Sequence, residues 1–345
     1  MKIESMPLVV GVPSTVLSAE DRRILEKVQP SGVILFARNV ETAQQTRELV
    51  ESLGNLEPRP FVAVDLEGGI VNRLAAIWGE LPTPAQAGAA GRRAVRALGE
   101  AAGAACCSLG IHLDLAPVVD LERPDGMLHR QGRCFSDDPE RVAILARIFN
   151  EGLAEWGVTG CLKHFPGLGA VPVDTHDELP TLEPDDEEME RHLAVFKTLA
   201  PDIPVVMVGH VVVPALGDAE RPASLSRTVV DRAVGLPGAP VILSDDLEMG
   251  ALDGWGDLPE RVEAALRARN HGVLVCKAFD RLEDIAAHLT ERSALDSALG
   301  TRLTEMAARM GTLRRDLCQR RAAVPSPDDT TIVQLWEHAR REAGM

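Results

Sequence analysis

The 345-residue chain contains no tyrosine, and its 7 Phe and 4 Trp bring the aromatic share to only 3%. Any aromatic platform for a ligand must therefore come from Phe or Trp. Basic residues are outnumbered: 36 Lys and Arg stand against 52 Asp and Glu, a net charge of −16. Nucleic acid and anionic membrane surfaces both require basic patches, so neither is expected as a partner. No apolar run approaches the roughly 20 residues of a membrane-spanning helix. The opening stretch MKIESMPLVVGVPS has Glu4 and Pro7 where a signal peptide has an unbroken apolar region, so a cytoplasmic location is expected. The six cysteines, Cys106, Cys107, Cys134, Cys161, Cys276 and Cys318, include no CxxC spacing, which argues against a zinc site or a thioredoxin-like motif. Several lie in apolar surroundings (GCLKHF, VLVCK) and read as buried free thiols of a reducing compartment. No repeat of fixed period is present.

Eight short runs rich in Val, Ile and Leu occupy residues 8–12, 32–36, 61–65, 113–120, 159–165, 205–213, 241–246 and 272–276. Continuous apolar runs, rather than alternating ones, suit strands buried on both faces of a parallel sheet. Helix-like stretches lie between them. The first opens with a Ser18-x-x-Asp21 capping pattern, and the series continues through LEDIAAHL and the Ala/Leu/Arg-rich region 294–320. This alternation predicts an α/β (β/α)₈ TIM barrel, a single catalytic domain over residues 1–321. Residues 322–345 read as a linker (AAVPSPDD) and a helix packed outside the barrel. The alternative is a doubly wound sheet, but its GxGxxG fingerprint is absent from the first strand-to-helix turn, VVGVPSTVLS.

Barrel enzymes build their sites at the C-terminal ends of the strands. That rule selects Asp65 after the third strand, Asp120 after the fourth, Lys163 and His164 in the fifth, His210 in the sixth, Asp245 and Asp246 in the seventh, and Lys277 after the eighth. Each has a plainer reading: Asp120 as a helix N-cap, His210 as a satisfied core histidine, Lys277 as a solvated cation. The stretch KHFPGLGAVPVDTHDELP (163–180) is harder to dismiss. Its loop, about Gly167 to Leu182, exceeds the usual length of an unstructured connection. Asp174 and His176 are one residue apart, so an extended stretch puts both side chains on one face. A carboxylate beside an imidazole fixes its tautomer and suits it to general acid/base work. The competing reading makes Asp174 and Asp177 turn formers and leaves His176 in solvent.

The segment KHFPG-x-G-x(4)-D-x-H resembles the signature of glycoside hydrolase family 3, in particular its bacterial β-N-acetylhexosaminidases. VDLEGGIVNR, DLAPVVDL, GRCFSDDP, PASLS and VILSDDLEM are similar to further family segments, in the same order, over most of the chain. The resemblance implies a retaining exo-β-N-acetylglucosaminidase acting through a covalent glycosyl-enzyme. It makes Asp245 the nucleophile and His176 the acid/base, with Asp174 as the partner of His176. It also implies that Asp65, Arg73, Arg133, Lys163 and His164 bind the terminal N-acetylglucosamine. A histidine in place of a second carboxylate is the family's departure from the usual pair, and it avoids a second negative charge near the nucleophile.

The implied partner is an N-acetylglucosamine-containing saccharide, with muropeptide fragments of cell-wall recycling as the expected source. No cofactor or metal is expected, and the chain is expected to be a monomer. The sequence departs from the family pattern at Leu168, Ile70 and Leu66. Three further readings remain open: phosphorolysis or a different β-glycoside specificity, a Schiff-base lyase using Lys163, and a metal-dependent hydrolase using His164, Asp174, His176 and Asp245.

Overall fold

A computed structural model describes residues 4–175 and 177–345. Among the described residues there are ten strands: β1 (Met6–Gly11), β2 (Pro30–Leu35), β3 (Phe61–Val64), β4 (Leu66–Gly68), β5 (Val71–Asn72), β6 (Leu113–Asp114), β7 (Leu162–Phe165), β8 (Val205–Val208), β9 (Val241–Asp246) and β10 (Gly272–Val275). Eight of them form one sheet in the order β6-β3-β2-β1-β10-β9-β8-β7, every neighbouring pair parallel. The two ends of that order meet through parallel bridges, Leu113 with Thr159 and Val118 with Lys163. The sheet therefore closes into the expected (β/α)₈ barrel. β4 and β5 form a separate antiparallel ribbon just after β3, which the apolar pattern did not reveal.

All eight expected strand regions are strands, but the fourth is shorter than the run 113–120. Pro117 has no N–H to give the ladder, and only Leu113–Asp114 pair regularly before the bridge at Val118. The Ser18–Asp21 capping box is present and opens the helix Ala19–Val28. The long run from residue 84 splits at Gly91, whose φ of 106° is open to glycine, into helices Pro84–Ala90 and Arg92–Leu109.

The core has two layers. Outward-facing strand residues pack under the helices. Inward-facing ones, among them Val9, Ile34, Ala63, Met207, Leu243 and Leu274, fill the barrel. The region 294–320 is helical, as expected, and its packing adds what the sequence did not indicate. It forms one helix, Ser297–Ala322, whose Met310, Leu313 and Leu317 join the barrel interior. Their three- and four-residue spacing makes one apolar face, which seals the N-terminal end of the barrel: the Met310 side chain lies where a Cβ on Gly272, the first residue of β10, would clash at 2.6 Å. The last helix, Asp329–Glu342, buries Ile332, Trp336 and Ala339. No helix among the described residues is long and apolar enough to cross a membrane.

Candidate active site

The C-terminal ends of the strands surround a cavity of about 280 Å³. Ligand pockets start at roughly that size. Eight of the twelve candidate residues line it: Asp65, Arg73, Arg133, Lys163, His164, Asp174, Asp245 and Asp246. Asp120 and His210 stand behind it as buried supports. His176 lies outside the described residues.

The floor is an ion cluster. Lys163 Nζ lies 2.7 Å from Asp65 Oδ1 and 2.6 Å from Glu67 Oε1. Arg133 grips Glu67 with two parallel bonds, Nε to Oε2 and Nη2 to Oε1, both 2.7 Å. Such a fork is the strong, oriented form of a charge pair. The Glu67 side chain is wholly buried. Burial alone would favour its neutral form, but the charges of Arg133 and Lys163 outweigh burial and hold the carboxyl well below its usual range. Burial likewise opposes the Lys163 ammonium, and Asp65 and Glu67 reverse the balance, raising its pKa above the ordinary lysine value. The amine is therefore protonated. Glu67 was not among the residues selected from the sequence, yet it is the hub of this cluster. The only hint was its place in DLEGG, where an acid beside two glycines reads as loop.

Asp120 is a clamp and not a helix cap. Its Oδ2 accepts from His164 Nδ1 at 2.7 Å and from the His164 amide at 3.1 Å, and its Oδ1 accepts from the Leu168 amide at 2.6 Å. Because the carboxylate accepts, Nδ1 of His164 carries a proton, which leaves Nε2 as the acceptor of the neutral ring. Leu168 is buried: its side chain packs against Gly209, where a Cβ would meet Leu168 Cδ1 at 3.0 Å and His164 Cβ at 3.1 Å. The apolar residue at this departure from the family pattern is thus core packing. The loop beyond it is tied to its neighbours. Val171 O accepts from the Met127 amide at 2.8 Å, Pro172 O from Arg130 Nη2 at 2.6 Å, and Thr175 O from the Ala251 amide at 3.3 Å. Asp174 O accepts from the amides of Asp177 and Glu178, so its backbone does form a turn, and the residue lines the cavity.

β9 delivers Asp245. Its Oδ1 accepts from the Asp246 amide at 2.8 Å. Burial raises its pKa, but the imidazoles of His164 and His210, the Asp246 amide and the Lys163 ammonium overcome this and leave it lowered. Next to it, Asp246 is pushed up to about 7 by burial and by the charges of Glu248 and Asp245. Two adjacent carboxyls thus part in character, one ionised and one neutral below pH 7. His210 Nε2 donates to Asp246 O at 2.8 Å, and its Nδ1 meets Ser224 Oγ at 2.7 Å. Ser224 comes from the PASLS segment and was not selected from the sequence; neither was Asp114, whose Oδ1 anchors the ribbon by accepting from the Leu66 amide at 2.9 Å. Arg73 lies over Phe36, its guanidinium carbon 5.8 Å from the ring centroid, and its buried Nε has no hydrogen-bond partner. Lys277 sits apart from this cavity, with its amide given to Glu248 Oε2 at 2.6 Å. Among the described residues no cluster of His, Cys, Asp and Glu has the arrangement of a metal site.

The fold and this mouth are those of a (β/α)₈ barrel with an enzyme-like site at the C-terminal ends of its strands. The chain belongs to glycosyl hydrolase family 3: the model of the family's N-terminal domain matches residues 2–303. A β-hexosaminidase of Pseudomonas aeruginosa is 36% identical over 276 residues, 78% of this chain and 82% of that protein. A family 3 β-N-acetylglucosaminidase from Paenibacillus sp. strain FPU-7 superposes with a TM-score of 0.86 at 26% identity, covering 97% of this chain and 67% of that one. NagZ from Neisseria gonorrhoeae, solved in complex with N-trifluoroacetyl-D-glucosamine, gives a TM-score of 0.73 at 28% identity, covering 98% of this chain and 90% of that one.

Proposed function

We propose that this chain is a retaining exo-β-N-acetylglucosaminidase. The observation that carries the reading is the meeting of an ionised Asp245 with the Asp65–Lys163–Glu67–Arg133 cluster in one small cavity. Lys163, Arg133 and Arg73 are donors and Asp65 is an acceptor; together they suit the hydroxyls of one terminal sugar held in a fixed pose. Asp245 attacks the anomeric carbon as the bond to the leaving oxygen breaks, forming a covalent glycosyl-enzyme. His176, with Asp174 as its partner, gives the leaving oxygen a proton. It then takes one from the water that releases the sugar. These last two roles rest on the resemblance of the DTH segment. The sugars of the relatives' names support N-acetylglucosamine as the glycone, and muropeptide-derived disaccharides are the substrate we infer.

A Schiff-base role for Lys163 is disfavoured by its pair of carboxylates, since an ammonium has no lone pair for a carbonyl. Product analysis on N-acetylglucosaminyl-anhydromuramic acid, with and without phosphate, tests the proposal. Free N-acetylglucosamine in both cases supports it. A sugar 1-phosphate formed only with phosphate identifies a phosphorylase, and an uncut disaccharide removes the proposed substrate.

A further inference from the structure

We propose that the helix Asp329–Glu342 is a positioning element of the sugar site, acting through Trp336 on segment 65–81. The inference rests on the sugar-binding reading above for its functional consequence, though not for its geometry. Segment 65–81 leaves β3 and carries Asp65, Glu67 and Arg73. It is folded back on itself: Asn72 Nδ2 donates to Gly79 O at 3.0 Å, the Gly69 amide to Leu81 O at 3.2 Å, and the Arg73 amide to Asp65 O at 3.4 Å. The outer end of this strap meets the last helix. Trp336 Nε1 donates to Glu80 O at 3.0 Å, and the Trp336 and Trp78 rings lie 5.7 Å apart at 43°.

Trp336 is only 2% exposed and lies beyond residue 303, where the match to the family model ends. Its indole is one of the chain's four, and it spends its only donor on the strap's main chain. A tilted aromatic pair and a part-buried hydrogen bond fix both the distance and the angle of the strap's outer end. The strap's inner end presents Arg73, whose buried Nε has no hydrogen-bond partner in the protein. Asn72 links the two ends: beside its bond to Gly79, its Oδ1 accepts from the Leu74 amide at 3.0 Å. Moving the strap moves Arg73, and with it the donor set facing the glycone.

The test compares Trp336→Ala and Trp336→Phe with Ile332→Ala, a control on the same helix that is equally buried but has no donor for the strap. Amide hydrogen exchange at Gly69 and Arg73, KM and kcat on an aryl N-acetyl-β-glucosaminide, binding of N-acetylglucosamine and Tm are measured for each. Trp336→Ala is expected to speed exchange at both amides and raise KM and the sugar Kd about 10-fold, with kcat nearly unchanged. Trp336→Phe, which keeps a ring but loses the donor, falls between. Ile332→Ala lowers Tm with exchange and KM near wild type. Exchange at Gly69 and Arg73 that is unaltered by Trp336→Ala, or altered equally by Ile332→Ala, overturns the proposal. Failure of the wild-type protein to bind N-acetylglucosamine, with the exchange result as expected, sinks the sugar reading and leaves the positioning of the strap standing.

Discussion

The two ends of the barrel use the same residue types in opposite ways. At the N-terminal end, His112 and His271 precede β6 and β10 and stitch them to neighbouring strands. His112 Nδ1 accepts from the Val62 amide at 3.0 Å and His271 Nδ1 from the Ile242 amide at 2.8 Å. Both must be neutral to accept, and burial, helped by nearby arginines, depresses each to about 4. At the C-terminal end, His164 and His210 carry protons on the nitrogens that face a carboxylate and a carbonyl, and both stand beside Asp245. One end is sealed by Met310, Leu313 and Leu317; the other is open and holds an ammonium, a guanidinium and two carboxylates in contact. The difference teaches that stability has been placed at one end and stored charge at the other, as the barrel architecture allows.

Substitutions at the open end should cost chemistry most. Asp245→Asn keeps the shape and removes the proposed nucleophile, so kcat should fall at least ~10³-fold with the fold intact by circular dichroism. Glu67→Gln removes the charge shared by Arg133 and Lys163. Breaking one partner of a buried ion pair costs about 3–5 kcal/mol, so Tm should drop and KM should rise sharply; an unchanged KM would show that the cluster is a staple and does not shape the site.

At the sealed end the effect should be on stability alone. The folded pKa values of His112 and His271, about 4, lie below the unfolded value near 6.5. Above pH 6.5 neither group is charged in either state and neither costs stability. As pH falls from about 6.5 to about 4, only the unfolded chain takes up these protons, and stability declines. Urea unfolding between pH 7 and pH 4 should show this slope, and His112→Asn should flatten it while leaving turnover at neutral pH unaltered. The smallest effect lies on the outer wall. Ser18→Ala removes a cap whose oxygen accepts from the Asp21 amide at 3.1 Å, and should cost about 1 kcal/mol in unfolding with no change in KM.

The barrel was legible because each strand is a continuous apolar run and each helix a periodic one. The strand-end rule found Asp65, Lys163, His164 and Asp245, since one-dimensional position fixes which end of a strand they occupy. It left His210 between site and core, because its partner Ser224 is 14 residues away and its carbonyl acceptor on Asp246 is 36 away. Glu67 was illegible for the same reason: its cations come from 66 residues away at Arg133 and from β7 at Lys163. The helix Ser297–Ala322 read as an Ala/Leu/Arg-rich helix in the sequence, but nothing in that composition says that one face plugs the barrel rather than wrapping it. Arg73 and Arg133 came from the family resemblance, and Asp174 and His176 from the long loop after the fifth strand, with their particular roles implied by the resemblance; Arg73, Arg133 and Asp174 line the cavity, and His176 lies outside the described residues.

The central claim is that Asp245 forms a covalent intermediate on a terminal β-linked N-acetylglucosamine, and product stereochemistry tests it most directly. Proton NMR during rapid cleavage of an aryl N-acetyl-β-glucosaminide by the wild-type protein distinguishes the first-formed anomer before it mutarotates. Two displacements at one carbon predict that β-N-acetylglucosamine appears first and the α-anomer only later. The α-anomer appearing first would mean a single displacement by water, and would contradict the account.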